Sequence, residues 1–519
     1  MQNFLPFYAT SNYDEIQLLE TINSSMSLFK TESCIETLTY YDTFDWRLYH
    51  ESLALVEGAG LYTLSRLNDG QRQASAQAGD KPAFVWDFPP GMLQNQLAPI
   101  LQMRALLALA QVEKQAAAYR VLNEDQKTVV YLISEIMRLP QTDTESPLIT
   151  RFRLKPVRGY DDQAQALALL LQEQGLVATG DDRAYTKIMQ AARRAPGDYS
   201  SKIALQLEPA MRADEATKTV LRFLLLVMQQ NEAGIKKDID TEFLHDFRVA
   251  VRRTRSALSQ VKRVFPAAVT ERFKADFRAV GRFSNDLRDL DVYLLSETGY
   301  RALLPEILAD DIGPLFTHLK RKRSQVLKQV RRDLESEQYL RIIQAWQAFL
   351  NEPSRDDPSA PNAGQPIINL AQARLYKIYR RIVKAGHQIL ENVADEKLHA
   401  LRIECKKLRY LMEFFASLFP EDEIGQLVKQ LKKLQDNLGD FNDLCVQEEY
   451  LLRAAAELPA AKAESQEALL AIGGLISRLD QERQVVKADF AKTFTNFASP
   501  ENQAHFKRLF KPQKKVAAR

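Results

Sequence analysis

The spacing of apolar residues changes near residue 205. Upstream, short β-branched and aromatic runs at residues 37–41, 53–56, 61–64, 83–86, 128–133 and 148–154 predict strands. Helical spacing appears there only at 97–110 and 163–174. Gly180-Asp181-Asp182 and Pro196-Gly197-Asp198 mark a loop-rich stretch. Downstream, apolar positions recur every three to four residues with almost no strand pattern. Helices are predicted from residue 213 to about 231 and at 241–264, 271–287, 315–335, 336–350, 370–390, 395–418, 424–438, 448–457 and 463–496. Asp240 is placed to cap the second of these and Pro266 to stop it. Residues 351–364 carry Pro, Gly and Asp and break the pattern. The expected fold is an α+β domain over 1–180, a linker at 181–204, and an all-α region. That region divides into 205–350, a linker at 351–366, and 367–510, with a basic tail at 511–519.

One helical segment occurs twice. Residues 244–255 read LHDFRVAVRRTR and residues 398–409 read LHALRIECKKLR, at a constant offset of 154. Both run on to a Phe-Pro stop, at Phe265-Pro266 and Phe419-Pro420. A second block, Leu287-Arg288-Asp289-Leu290-Asp291, aligns with Leu438-Gly439-Asp440-Phe441-Asn442 at an offset of 151. The three-residue difference predicts a shorter loop in the second copy. Repeats of about 150 residues are too long for solenoid units. They predict two similar helical bundles about a pseudo-two-fold axis.

On a helical wheel at about 100° per residue, with His245 at the origin, Arg248, Arg252, Arg255 and Arg263 fall within about 80° of it. Phe247, Val251, Leu258, Val261 and Phe265 cluster on the opposite side. In the second copy His399, Arg402, Lys406 and Arg409 make the same stripe, opposite Leu401, Cys405, Leu408, Met412 and Phe415. Like charges at i,i+4 repel, at a few tenths of a kcal/mol per pair. A basic face is ordinarily a solvated surface. Two matched faces with histidine at the same phase instead suggest a device for holding anions, and the planar fork of Arg suits phosphate. Arg278, Arg282, Lys429, Lys432, Lys433, Arg321, Arg323, Lys328, Arg331, Arg374, Lys377, Arg381 and Lys384 can extend the surface, as a linear polyanion requires.

Net charge sharpens this division. Residues 1–200 hold 18 Lys+Arg against 24 Asp+Glu, a net of −6; residues 201–519 hold 52 against 43, a net of +9. Anion binding is therefore expected from the helical part. Cys34, Cys405 and Cys445 lack CxxC spacing, which fits a reducing compartment and argues against a disulfide frame or thiolate zinc site. No secretory leader pattern opens the chain, and no apolar run approaches the ~20 residues that span a bilayer. A cytoplasmic protein without membrane insertion is expected.

At the repeated helix the chain resembles the CHAD family, the conserved-histidine α-helical domain. The LHxxRVxxRRxR helix, the Lys406-Lys407-Leu408-Arg409-Tyr410 run and the RDLD and LGDFND blocks carry the likeness, over about residues 205–510. The resemblance implies two four-helix bundles related by a pseudo-two-fold, with a basic groove between them that binds inorganic polyphosphate. It also implies association with polyphosphate granules. It places His245, Arg248, Arg252, Arg255, His399, Arg402, Lys406 and Arg409 on that surface; Arg282 and Lys433 are expected to join them. The N-terminal part is similar in outline to a CYTH (triphosphate tunnel) domain, which often precedes CHAD. The run Tyr40-Tyr41-Asp42-Thr43-Phe44-Asp45-Trp46-Arg47-Leu48 resembles that family's YYDTxDxRL strand and turn, and 148–155 with the following helix resembles its late strand and helix. No ExExK motif precedes Cys34, and Arg151 and Arg153 stand where the late strand should present acids. Hydrolysis of triphosphates through metal ions needs carboxylates, so a degenerate, non-catalytic CYTH-like domain is expected.

Walker A, GxGxxG, GxSxG and HExxH patterns are absent. A metal bridging His245 and His399 would meet repulsion from the adjacent arginines. Phosphotransfer through a histidine lacks an identifiable base and acceptor path. Asp289, Asp291, Asp440 and Asp443 are expected to cap helices or pair with Arg288 and its neighbours rather than bind a cation. No catalytic residue, metal or cofactor is assigned. The leading expectation is a polyphosphate-binding protein. The alternatives are a metal-dependent triphosphate or polyphosphate hydrolase using the N-terminal domain, and nucleic-acid binding through the same cations. Few aromatics interleave the stripes, which disfavours base stacking and hence nucleic acid.

Overall fold

The structure is a computed structural model that describes residues 6–9, 15–79, 81–140, 147–391, 393–458 and 463–512. The chain divides into two compact units, Met1–Ser200 and Ser201–Arg519. Of the expected basic tail, residues 513–519 lie outside the described residues.

The first unit is built on a nine-stranded antiparallel sheet. In chain order its elements are β1 (Phe7–Tyr8), α1 (Glu15–Ser25), β2 (Ser27–Asp42), α2 (Arg47–His50), β3 (Leu53–Gly58), β4 (Leu61–Arg66) and β5 (Arg72–Gln77). There follow α3 (Met92–Leu101), β6 (Leu107–Leu122), β7 (Thr128–Arg138), β8 (Ile149–Pro156), α4 (Asp161–Glu173), β9 (Val177–Ala178) and α5 (Asp182–Ala191). The strand order is β5-β4-β3-β2-β6-β7-β8-β1-β9. Three expectations are corrected here. The helix expected over 97–110 ends at Leu101, where Gln102 turns to φ 51°, and β6 takes over. The alanines of β6 favour helix in isolation, but ladders to β2 on one side and β7 on the other override that preference. The strand expected at 83–86 is instead a 3-10 turn over Val85–Asp87, where the Asp87 carboxylate accepts from the amides of Ala83 and Phe84. The linker expected at 181–204 begins as α5, which buries Ala184, Tyr185, Ile188 and Met189 against Tyr40 and Trp46.

The second unit is all-helical. The first copy comprises α6 (Ala213–Lys237), α7 (Thr241–Gln260), α8 (Ala267–Phe283), α9 (Asn285–Leu295), α10 (Glu297–Leu303), α11 (Glu306–Ala309), α12 (Gly313–Glu335) and α13 (Glu337–Asn351). The second comprises α14 (Ile367–Glu391), α15 (Asp395–Phe414), α16 (Glu421–Glu457), α17 (Ala463–Phe497) and α18 (Pro500–Phe510). Helix starts at Ala213 and Ile367, Thr241 and Asp395, and Ala267 and Glu421 keep the offset of 154.

The expected three-residue difference is absent from these helices. α10 of the first copy ends at Leu303 and α16 of the second at Glu457, again 154 apart. The first copy breaks at buried Ser284 between α8 and α9 without changing the offset. The second copy has no such break: the helices expected at 424–438 and 448–457 are one helix, α16. At that offset Leu287 matches Phe441, both buried, and Asp289 matches Asp443, both exposed. The sequence reading omits α18, although Ser499 caps it by accepting from the amide of Asn502 and Pro500 sits at its first position.

The copies also share a core. Leu290, Tyr293, Leu315, Phe316 and Leu319 from the first pack with Leu451, Ala471, Ile472, Leu475 and Leu479 from the second. The rings of Tyr293 and Tyr450 stack at 3.8 Å. In α6, a Cβ on Gly234 would stand 2.1 Å from the Phe243 ring at the start of α7. Gly234 therefore sets how closely α6 and α7 approach. We expect Gly234→Ala to destabilise the protein by about 1–3 kcal/mol in urea unfolding, the usual cost of overpacking a core.

Candidate functional site

α7 begins because Asp240 caps it, its carboxylate accepting from the amides of Glu242 (2.9 Å) and Phe243 (3.2 Å). One side of α7 buries Phe243, Leu244, Phe247, Val251 and Leu258; the matching side of α15 buries Leu398, Leu401, Cys405, Leu408 and Met412. Each large apolar side chain contributes about 1.5–3 kcal/mol on burial. That exceeds the few tenths of a kcal/mol lost per like-charged i,i+4 pair, so the helices form despite their cationic stripes. α7 ends at Gln260, and Arg263 lies beyond it at φ 64°, so Arg263 leaves the expected stripe.

The two helices meet. Arg253 of α7 donates to Glu413 of α15 (2.7 Å) and lies 6.0 Å from the centre of the Tyr410 ring. Glu413 also accepts from Arg409 (2.8 Å), which reaches Gln435 as well (3.4 Å). Arg409 is thus committed to an acid.

Beside this junction lies a cleft of about 280 Å³ whose lining includes Arg252, Arg255, Lys274, Arg278, Lys406, Lys407 and Tyr410, and no acid. Lys274 pairs with Glu271 and Lys407 with Glu404. Arg252, Arg255, Arg278 and Lys406 have no acid partner within salt-bridge distance among the described residues. Burial pushes Lys406 down to about 8, helped by Arg402 and Arg252. Burial and then Arg252 push Arg248 down to about 10, still protonated at neutral pH. Arg255 is lowered by burial and Arg278, and Arg402 by burial and Arg252 against the opposing pull of Asp443. Arg252 of the first copy thus acts on both Arg402 and Lys406 of the second.

Other expected residues are distributed around this centre. Arg248 donates to Ser284 (3.1 Å) and Asn285 (2.7 Å) at the helix break. Arg402 pairs with Asp443 (3.2 Å). The Nδ1 of His399 lies 2.7 Å from the side-chain oxygen of Asn442, while His245 is half-buried on α7. Arg282 is exposed on α8. Lys433 lines a different cleft, of about 460 Å³, together with Asp436, Asp440, Asp489 and Lys492. Arg323 is bound by Asp238 and Asp291, so Asp291 pairs with it and not with Arg288. The sequence reading missed Ser284, Asn285 and Asn442. Their one signal was their place in or beside the second repeated block.

The first unit encloses a cavity of about 500 Å³ lined in part by Glu36, Tyr40, Lys114, Glu135, Arg151, Arg153, Asp181 and Tyr185. Its acids are occupied. Arg151 bridges Glu135 (2.5 Å) and Asp181 (2.8 Å), and so does Arg153, at 3.1 and 2.5 Å. Burial alone would raise Glu135, but Arg151, Arg153 and Lys114 outweigh it and bring its pKa to about 2. Among the described residues no group of three His, Cys, Asp or Glu can hold a metal ion. Among the described residues no helix is long and apolar enough to cross a membrane.

Residues 219–452 match the family model for the CHAD domain. Two Mycobacterium tuberculosis proteins described as uncharacterized, from strains CDC 1551 / Oshkosh and ATCC 25618 / H37Rv, are each 26% identical over 294 residues, 56% of this chain. The chain spans about half the length of these relatives, 53% in each case. Among solved structures, the CHAD domain from the plant Ricinus communis is 24% identical, covering 57% of this chain and 96% of that one at a TM-score of 0.48. PptA from Streptomyces chartreusis is 14% identical, covering 55% and 100%, at a TM-score of 0.39.

The Glu413 junction is testable. Glu413→Gln removes the charge shared by Arg253 and Arg409, and we expect a loss of about 1.5–3 kcal/mol in denaturant unfolding. A change under about 0.5 kcal/mol would show that the junction does not hold α7 to α15.

Proposed function

We propose that this chain, which carries a CHAD domain, binds inorganic polyphosphate at the junction of α7 and α15. One observation supports the reading above the others: Arg252 of one copy and Lys406 of the other line one acid-free cleft. Repulsion between crowded cations is relieved by a polyanion, and a chain of repeating phosphates can relieve several at once. Arg248 and Arg402 extend the basic surface on either side. Polyphosphate suits the site better than nucleic acid because Tyr410 is the one aromatic residue lining the cleft, too few for stacking successive bases. The first unit is read as non-hydrolytic, since Glu135 and Asp181 are each held by two arginines.

Replacing Arg248, Arg252, Arg402 and Lys406 together by Glu should abolish polyphosphate binding while the circular dichroism spectrum and thermal unfolding stay cooperative. Wild-type affinity should fall steeply with salt, by analogy with counterion release. Retained binding in the folded quadruple variant would sink the proposal. Equal or better competition by single-stranded RNA would favour nucleic acid, and phosphate release from tripolyphosphate with Mg²⁺ or Mn²⁺ would favour the hydrolase.

The Lys406 ammonium also sets a pH dependence. Its pKa of about 8 in the free protein must rise when a polyanion binds. Binding then takes up a proton above pH 8, so affinity should be flat below that pH and fall between about pH 8 and 10. Lys406→Arg should flatten the profile in titrations at constant ionic strength.

A further inference from the structure

We propose that the Asp443 carboxylate occupies, in the free protein, a seat for one phosphate oxygen of the ligand, and that Arg402 and Asn442 form that seat. The inference rests on the polyphosphate reading and adds to it a specific subsite and a self-made competitor.

Two donors converge on a single oxygen. Arg402 Nη2 lies 3.2 Å and Asn442 Nδ2 3.3 Å from Oδ1 of Asp443. The amide of Asn442 is held in that orientation. Its residue is 7% exposed, and its oxygen faces Nδ1 of His399 at 2.7 Å. An amide oxygen only accepts, so Nδ1 carries the proton and donates. Flipping the amide would turn its oxygen toward the Asp443 carboxylate, two acceptors facing each other. His399 is thereby a positioning residue: it aims a neutral donor rather than supplying the charge.

The seat and its occupant differ in mobility. The Arg402 side chain is 16% exposed against 63% for Asp443. Nε of Arg402 is buried and has no hydrogen-bond partner among the described residues. A pair with one largely exposed member contributes little to stability, so a phosphate with several charged oxygens can displace the carboxylate. The first copy provides a contrast. At the helix offset of 154, Asp289 stands where Asp443 does, but Arg248 donates to neutral Ser284 and Asn285. Asp289 acts on Arg248 through space, and among the described residues the hydrogen-bonded carboxylate is that of the second copy.

Calorimetric titration of the full chain with inorganic polyphosphate tests this, using wild type, Asp443→Ala and Asp289→Ala. Asp289 is also exposed and faces Arg248 electrostatically, but no hydrogen bond joins it to the seat. Removing the occupant should tighten binding by about five- to tenfold, as expected for one repulsive charge close to the ligand. Asp289→Ala should change it by less than about twofold, since an exposed charge without a seat contact is screened. Asn442→Leu in the Asp443→Ala background should cancel most of the gain. If wild type binds and Asp443→Ala binds no tighter, the seat is overturned while the polyphosphate reading stands. Equal gains from both alanine variants would likewise overturn it, because a general field effect then suffices. If neither wild type nor Asp443→Ala binds, both readings fall.

Discussion

The second unit depends on apolar packing strong enough to press like charges together. α7 and α15 each spend one face on the core, and those faces fix where the opposite faces point. Glu413 then accepts from Arg253 and Arg409 and draws the two helices into contact. Arg252, Arg402 and Lys406 are left close together, and burial first and then this crowding depress the proton affinity of the latter two. The site is a region of stored repulsion, stabilised elsewhere by buried Phe and Leu side chains. An anion entering it would release that repulsion, which is the physical basis of the proposed polyphosphate binding.

The first unit resolves an equivalent difficulty in the opposite way. Its cavity carries several cations, but Arg151 and Arg153 are each bridged to Glu135 and Asp181. Lys114 adds a bond to Glu36. Charges satisfied internally give little to a ligand, and carboxylates so held are poor metal ligands. The two units thus differ in their clefts: one pairs Arg151 and Arg153 with acids, and the other leaves Arg252, Arg255 and Arg278 without an acid partner among the described residues.

The repeat keeps one offset as far as Leu303 and Glu457 and diverges after them. The offset of 154 holds through the starts of α8 and α16. At Ser284 the first copy breaks, whereas α16 continues for 37 residues. The consequence reaches the site. The break supplies Ser284 and Asn285 as neutral partners for Arg248, while the unbroken helix supplies Asn442 and Asp443 for His399 and Arg402. Pseudo-symmetry in the helix starts therefore does not give symmetry in the chemistry.

Helix existence, the repeat and the phase of the cationic stripes were legible in the sequence because each depends on neighbours within a few turns of one axis. Asp240 as a cap is equally local. What the wheel could not show is which stripe residues meet across helices. Arg409 and Lys433 share a charge sign with Lys406, yet Arg409 turns to Glu413 and Lys433 lines a cleft with three aspartates. β6 escaped detection for a related reason: alanine prefers helix locally, and only the flanking ladders of β2 and β7 reverse that preference. The sequence alone determined where the cations lie around each helix. The tertiary structure decided which of them remain without an acid, because that depends on the partner facing each one from a helix tens of residues away.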